Sequence, residues 1–542
     1  MLAFSSKEWV PGQLADRMAN AALVVLAVII VLTFRDYGLG WDDYTHAEYG
    51  DLLISLYRSG FSDARALSFV NLYMYGGGFD MVAALAAKLL PLDLFDVRRL
   101  VGALVGLIGL AVTWRLGRRL GGPIAGLFAL LLLATCPLYY GHMFMNAKDA
   151  PFAVAMAVAL LGLVRAFQQY PKPEPISVAL LGVGLGLTIG TRVIGGIAAL
   201  YAIAAFVLLL VAEWRELGLA QTLRRGRQFV VAILPGLFLA YLVMGLVWPW
   251  SVLKPLNPLI AAEYFSHFFE KPWKEMFDGA ALSVPEMPRT YVPTLFALQM
   301  PELLLMLGLA GTAGAVVVAF RRDLSANHRA VLLLVALAAT LPIAITVTTR
   351  PAMYNGIRHF VFVIPALAAL GGMAGVWLLE RSQRIGRSAL AAGAVVIIAG
   401  AISPVIEMVR LHPYQYTHFN RVAGGVRAAD DHYMIDYWGL AFKQAALELR
   451  SKLAERSRFT SSRPWKVAVC GPNRPAAVEL GSGFVTTWDS KGADFALMLG
   501  EFYCASLKAP TLVTIEREGV VYARVYDIRE RTVSSVFTIP PP

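Results

Sequence analysis

Residues 19–34 read Ala-Asn-Ala-Ala-Leu-Val-Val-Leu-Ala-Val-Ile-Ile-Val-Leu-Thr-Phe, and the chain runs on through Arg-Asp-Tyr-Gly-Leu-Gly-Trp (35–41) into two adjacent carboxylates, Asp42 and Asp43. The apolar run approaches the ~20 residues needed to cross the hydrocarbon of a bilayer. Lys7 and Arg17 stand before it, as in a secretory signal, but no small-residue cleavage site follows, so an uncleaved first span is expected. Ionisable groups at a membrane boundary are costly unless solvated or paired, which marks Asp42 and Asp43 as functional candidates.

Working outward, ten further apolar runs lie near 99–117, 122–140, 150–167, 176–191, 194–212, 229–248, 300–320, 330–349, 359–379 and 388–409. The chain of 542 residues is 57% hydrophobic and 16% charged, which excludes an ordinary soluble protein. Hydrophobicity ends near Arg410. The expected fold is a polytopic α-helical membrane protein with about eleven transmembrane helices over residues 1–410, followed by a small soluble α/β domain over 411–542. The stretch 176–212 is read as two spans, because Thr191-Arg192 and Gly195-Gly196 suggest a tight outward turn. As a single span it would invert every later segment.

Charge sets the orientation. One set of loops is short and basic, with Arg115, Arg118 and Arg119 in the first, Arg224, Arg225 and Arg227 in the third, and Arg381, Arg384 and Arg387 in the last. Such loops face the cytoplasm. The long segments 35–98 and 249–299, and the tail after 410, then lie outside. The expected location is a bacterial inner membrane with the tail in the periplasm. The net charge of +11 follows from the same bias, and its scatter over loops argues against a nucleic-acid partner.

The first outer loop is not featureless. Residues 45–58 and 79–90 have the spacing of amphipathic helices lying in the interface, separated by Tyr73, Tyr75 and Gly76-Gly77-Gly78. A triple glycine permits close backbone approach or simply a flexible turn. Segment 249–299 is rich in Pro, Trp and Phe, and Trp248-Pro-Trp250 at its start fits an interfacial aromatic belt. In the tail, 439–456 reads as a helix, and 466–470, 484–488, 495–499, 511–515 and 520–525 as strands. The tail carries no phosphate loop, metal spacing or catalytic elbow, so acceptor contact or structural cover is its expected role. Cys136 lies in a span, whereas Cys470 and Cys504 could pair if the tail is periplasmic.

A second charged pair, Lys148-Asp149, sits in Met-Asn-Ala-Lys-Asp-Ala-Pro-Phe (145–152), on the same face as Asp42 and Asp43. Moving a sugar from a polyprenyl phosphate to a hydroxyl needs a base for the hydroxyl proton and cations for the phosphate leaving group. Asp42 or Asp43 is the candidate base and Asp149 the second carboxylate; Lys148, Arg192, Arg358 and His359 are candidate substrate contacts. The plainer reading makes Asp42 or Asp43, and Asp149 as well, helix N-caps, and the arginines interface anchors or ion-pair partners. His46 and His142 read as bystanders. Two carboxylates and a histidine could hold a divalent cation, but no ligand spacing demands one.

The acidic pair after span one, Asn-Ala-Lys-Asp-Ala-Pro-Phe (146–152), Arg-His-Phe-Val-Phe-Val-Ile-Pro (358–365), His-Pro-Tyr-Gln-Tyr (412–416) and Asp-Tyr-Trp-Gly (436–439) together resemble the GT-C superfamily, and more narrowly the dolichyl-phosphate-mannose protein mannosyltransferase-like group, glycosyltransferase family 39 and relatives. The resemblance spans roughly residues 15–440. It implies inverting transfer from a polyprenyl-phosphate sugar at the periplasmic face, with the first-loop acidic position at Asp42 or Asp43 and the second-loop position at Asp149. Many relatives carry a Lys-Pro-Pro-like stretch in the first outer loop; here Asn71-Leu-Tyr-Met-Tyr-Gly-Gly-Gly stands in the comparable place, which leaves that phosphate contact unassigned. The sugar and the acceptor (glycan, lipid or protein) stay open. A transporter or lipid flippase is the alternative, though no internal repeat is visible and the candidate charges cluster on one face.

Overall fold

The computed structural model describes residues 12–267, 273–455 and 463–539; residues 1–11, with Lys7, lie outside the described residues. Nine helices among the described residues are long and apolar enough to cross a membrane. Two of the expected spans hide in that count. The 41-residue helix Leu94–Ala134 is two helices joined at a kink, where Gly122 takes φ +84° just before Pro123. Glycine alone adopts that conformation without strain. Pro175–Thr191 is apolar but only 17 residues long. The protein is therefore a multi-pass helical membrane protein with a helix at each of the eleven expected places. The helix expected over 122–140 is shorter than predicted. It stops at Ala134, and Pro137–Met145 starts afresh. Pro137 has no N–H to continue the ladder but suits the first position of a new helix.

Burial ranks the spans. Arg387–Leu411 has 6% of its apolar window buried, as expected of a peripheral, lipid-facing helix. Asp149–Gln168 and Arg358–Ile385 have 83% and 89% buried. The two most enclosed spans are thus those whose outer ends carry Asp149 and Arg358.

The first outer loop holds the two expected helices, Asp43–Arg58 and Gly78–Leu89, and Val82, Leu85 and Leu89 of the second are exposed. Gly76 explains the glycine run. A Cβ there would lie 1.3 Å from the Gly190 carbonyl oxygen, so the loop packs backbone to backbone on the outer end of Pro175–Thr191. The Gly77 N–H donates to the Val247 carbonyl at 3.0 Å, and the Trp248 indole donates to the Tyr73 carbonyl at 2.8 Å. These contacts carry Tyr75 to the end of the helix that precedes Arg192.

Segment 249–299 is more ordered than its composition suggested. It contains helix Asn257–His267, an antiparallel hairpin of β1 (Lys274–Phe277) and β2 (Ala280–Ser283), and helix Tyr291–Gln299. The hairpin turns on Asp278-Gly279, both at positive φ, the residue pair that matches strand twist in a two-residue turn.

In the tail all five expected strands form: β3 (Trp465–Cys470), β4 (Phe484–Thr487), β5 (Phe495–Leu499), β6 (Thr511–Arg517) and β7 (Val520–Asp527). The sheet order is β4-β3-β5-β7-β6, with β3 parallel to both neighbours and β7 antiparallel to both of its own. Helix Phe442–Glu455 matches the expected one, and Asn473–Leu480 is additional. Cys470 and Cys504 are disulfide-bonded across 34 residues of chain. A loop of that length predicts that replacing both by Ser costs about 2–4 kcal/mol of tail stability. Limited proteolysis of the full-length protein on a temperature ramp should show the tail cut at lower temperature in the double variant. A reductant should produce the same shift in the wild type and none in the variant.

Candidate active site

The two adjacent carboxylates part company. Asp43 points inward and is 4% exposed. It receives Arg99 Nη1 at 2.9 Å and Nη2 at 2.6 Å, and its Oδ2 accepts the Gly40 N–H at 2.8 Å. Arg99 also donates to the Gly38 carbonyl at 2.6 Å. Both Asp43 oxygens are therefore committed to holding the turn 38–43 on the second span, and the geometry leaves Asp43 no free edge for a substrate. Asp42 occupies the N-cap position of Asp43–Arg58, yet its side chain makes no capping bond. Among the described residues its one ion pair is with Lys148, Nζ to Oδ2 at 3.2 Å, and its side chain is 42% exposed. Burial raises the Asp42 pKa, but Lys148, His46 and Arg358 outweigh it and hold the carboxyl at about 2. The pair is half-buried, since the Lys148 side chain is 14% exposed.

Asp149 opens helix Asp149–Gln168 and is 2% exposed. Its N-cap role, expected from sequence, falls instead to Asn146. The Asn146 Oδ1 accepts the N–H of Lys148 at 3.0 Å and of Asp149 at 2.7 Å, and its Nδ2 donates to Asp149 Oδ2 at 2.8 Å. Relieved of capping, the Asp149 carboxylate faces Arg192 Nη2 at 2.5 Å and Arg358 Nη1 at 3.6 Å. Arg192 is in extended backbone between Pro175–Thr191 and the next span. Arg358 lies between the Tyr354 and Trp438 rings, 4.9 and 5.0 Å from their centroids. The Nε atoms of Arg192 and Arg358 are buried and make no hydrogen bond among the described residues. Arg98 and Arg99 carry unbonded buried Nε atoms as well, so this feature alone does not mark a ligand site.

Tyr75 joins the two charge groups. Its ring lies 5.1 Å from Lys148 Nζ and 5.8 Å from the Arg192 guanidinium, and burial raises its hydroxyl pKa well above the usual phenol value. Two turns and the ends of two spans thus bring Asp42, Lys148, Asp149, Arg192 and Arg358 into one cluster. His359 stacks edge-on against Tyr354 at 5.2 Å, one residue beyond Arg358, at the border of this group. The partly buried Trp41 packs on the core.

The two histidines have structural partners. His46 Nδ1 is 2.6 Å from Asp80 Oδ2, and Arg98 Nη2 is 2.7 Å from Asp80 Oδ1, which locks both amphipathic helices to the second span. His142 lies between Asn146, at 3.1 Å, and the Tyr437 hydroxyl, at 3.2 Å. Among the described residues no three acidic, His or Cys side chains gather to hold a metal; the Asp43 oxygens accept from Arg99, and those of Asp149 face Arg192 and Arg358.

Sequence reading missed Tyr75, Asn146, Tyr354, Tyr437 and Trp438, and it missed Arg98-Arg99. That basic pair on the outer side breaks the loop charge bias, which was a usable signal that carboxylates wait nearby. It also missed Glu275, in β1. Glu275 is 3% exposed, accepts from the Tyr291 hydroxyl at 2.6 Å, and accepts the backbone N–H of Asn355 at 2.6 Å. Burial pushes its carboxyl up to about 7, against the opposing pull of Tyr291, Asn355, Gly356 and Arg358.

The helical fold thus joins a half-open carboxylate, Asp42, to a cluster of three cations, Lys148, Arg192 and Arg358. Residues 79–248 match the family described as dolichyl-phosphate-mannose-protein mannosyltransferase. The structure shares its fold with the oligosaccharyltransferase of Archaeoglobus fulgidus in the apo form, at TM-score 0.51 and 13% identity over 90% of this chain and 65% of that one. It is also similar to ArnT from Cupriavidus metallidurans bound to undecaprenyl phosphate, at TM-score 0.47 and 16% identity over 96% of this chain and 99% of that one. No curated protein sequence matches the chain significantly. The family match covers residues 79–248, and the likeness to the archaeal enzyme is one of fold.

Proposed function

We propose that the protein moves a sugar from a polyprenyl-phosphate donor to an acceptor hydroxyl, with inversion, at the periplasmic face of a bacterial inner membrane. The observation that carries this reading is the charge cluster in which the half-open Asp42 faces Lys148 while Arg192 and Arg358 converge on the buried Asp149. The donor phosphate draws Lys148 away and accepts from Arg192 and Arg358. Loss of the ammonium lets the Asp42 pKa rise from about 2, which makes a weak base a better one. The acceptor oxygen then bonds to the anomeric carbon as the carbon–oxygen bond to phosphate breaks. The phosphate keeps that electron pair, and Asp42 takes the hydroxyl proton. Asp149 stays behind the arginines and fixes their direction.

The basic loops opposite the site support a periplasmic orientation, and so does the Cys470–Cys504 disulfide, which belongs in an oxidising compartment. The sugar and the acceptor are read by experiment: mass spectrometry of envelope lipids and glycans from a deletion strain should show loss of one defined pentose or hexose. With purified protein in liposomes, sugar transfer from the lipid phosphate supports the reading, whereas flipping without transfer supports a transporter. Arg192→Gln should weaken binding of undecaprenyl phosphate about 10- to 100-fold by titration, the scale of a lost charge-assisted hydrogen bond. Unchanged affinity would remove Arg192 from the phosphate site.

A further inference from the structure

We infer that Glu275, carried by the outer hairpin, is a positioning residue that sets the direction of Arg358 by gripping the backbone three and two residues ahead of it, at Asn355 and Gly356. The inference rests on the donor site proposed above and assigns that site an element outside it.

The grip is local and specific. Asn355 and Gly356 are consecutive residues in the left-handed region, at φ +56° and +67°. The Asn355 N–H donates to Glu275 Oε2 at 2.6 Å, and the Gly356 N–H reaches Oε1 at 3.4 Å and the Tyr291 hydroxyl at 2.9 Å. Successive N–H groups in such a turn form a cradle for an anion, and here the anion is supplied by the chain itself. The turn then feeds Ile357 and Arg358. The same hairpin touches the site a second time: the Trp273 ring stands edge-on to Tyr354 at 4.8 Å, and Tyr354 is one face of the aromatic pair around Arg358. Strand β1 is braced for this task, since the Val284 N–H donates to the Trp273 carbonyl at 2.9 Å and the Tyr291 hydroxyl donates to Glu275 at 2.6 Å. The carboxylate does what no neutral side chain of that length can. Both of its oxygens accept, one from Asn355 and the other from Tyr291. In either orientation of a glutamine, one of those donors meets an NH2 group and goes unsatisfied.

The test separates direction from architecture. Full-length wild type, Glu275→Gln, Glu275→Ala and Glu275→Asp are titrated with undecaprenyl phosphate in detergent micelles and assayed for transfer with the sugar donor identified from the deletion strain. A misdirected Arg358 raises the Kd for undecaprenyl phosphate and the KM for donor about 10-fold in the Ala and Gln variants, with kcat reduced less than KM is raised. Glu275→Asp, which keeps two accepting oxygens on a shorter stem, recovers part of the loss. A carboxylate needed only for folding would lower the yield of folded protein and the apparent kcat while leaving Kd and KM at wild-type values, and that result overturns the inference. If a variant is not recovered folded, Trp273→Ala supplies the second measurement, because it removes the ring that stands edge-on to Tyr354 and leaves the buried carboxylate in place; unchanged Kd and KM there overturn it too. A wild type that neither binds undecaprenyl phosphate nor transfers sugar removes the donor site itself, and the role of Glu275 with it. A competent wild type with indifferent variants removes only the role of Glu275.

Discussion

Asp42→Asn is expected to lower the rate of sugar transfer about 100- to 10,000-fold while the protein still accumulates in the membrane and still binds undecaprenyl phosphate. General-base removal has that scale. Asparagine has nearly the shape of aspartate, the side chain is 42% exposed, and the amide oxygen still accepts from Lys148, so the fold is expected to survive the change. Binding should hold or tighten slightly, because Lys148 no longer has to leave a carboxylate to reach phosphate. The measurement is single-turnover transfer at saturating donor, paired with the melting temperature of the same preparation. Full activity in Asp42→Asn would end the assignment of Asp42 as base.

Asp43→Ala, one position along, is expected to do the opposite kind of damage. It strands Arg99, which is 2% exposed, and leaves the Gly40 N–H without its acceptor. Breaking a buried ion pair from one side costs about 3–5 kcal/mol, since the remaining charge has lost its partner and has no water in exchange. The expected outcome is a lowered melting temperature and poor recovery in detergent, with residual transfer per folded molecule near wild type. Arg99→Ala should cost a similar amount. Replacing both by apolar residues should cost less than the two single losses together, because no unpaired charge remains. A stable but inactive Asp43→Ala protein would show that the two carboxylates had been assigned the wrong way round.

Much of this architecture was legible in the order of residues. The long apolar runs marked the spans, the short basic loops gave a consistent orientation, and short strand-like runs after 460 marked all five strands of the tail. Asp42, Lys148, Asp149, Arg192 and Arg358 stood out as charges at the ends of apolar runs, and the structure gathers all five. His359 is at their border, and Asp43 is drawn off to Arg99. The Asp278-Gly279 hairpin was legible too and was passed over, because the Pro, Trp and Phe around it read as interfacial cover.

What the chain settles by itself is where it enters and leaves the membrane, because transfer of a side chain into hydrocarbon is a nearly additive property of neighbouring residues and needs no knowledge of the fold. What only the tertiary structure decides is which carboxylate stays open. Asp42 and Asp43 are chemically identical, and their difference comes from Arg99, 56 residues beyond Asp43, and from Lys148 in another outer turn. Ion pairing in a low-dielectric interior depends on a few ångströms of distance and on who else competes for the same oxygens, and those are set by the packing of spans and loops that no local pattern encodes.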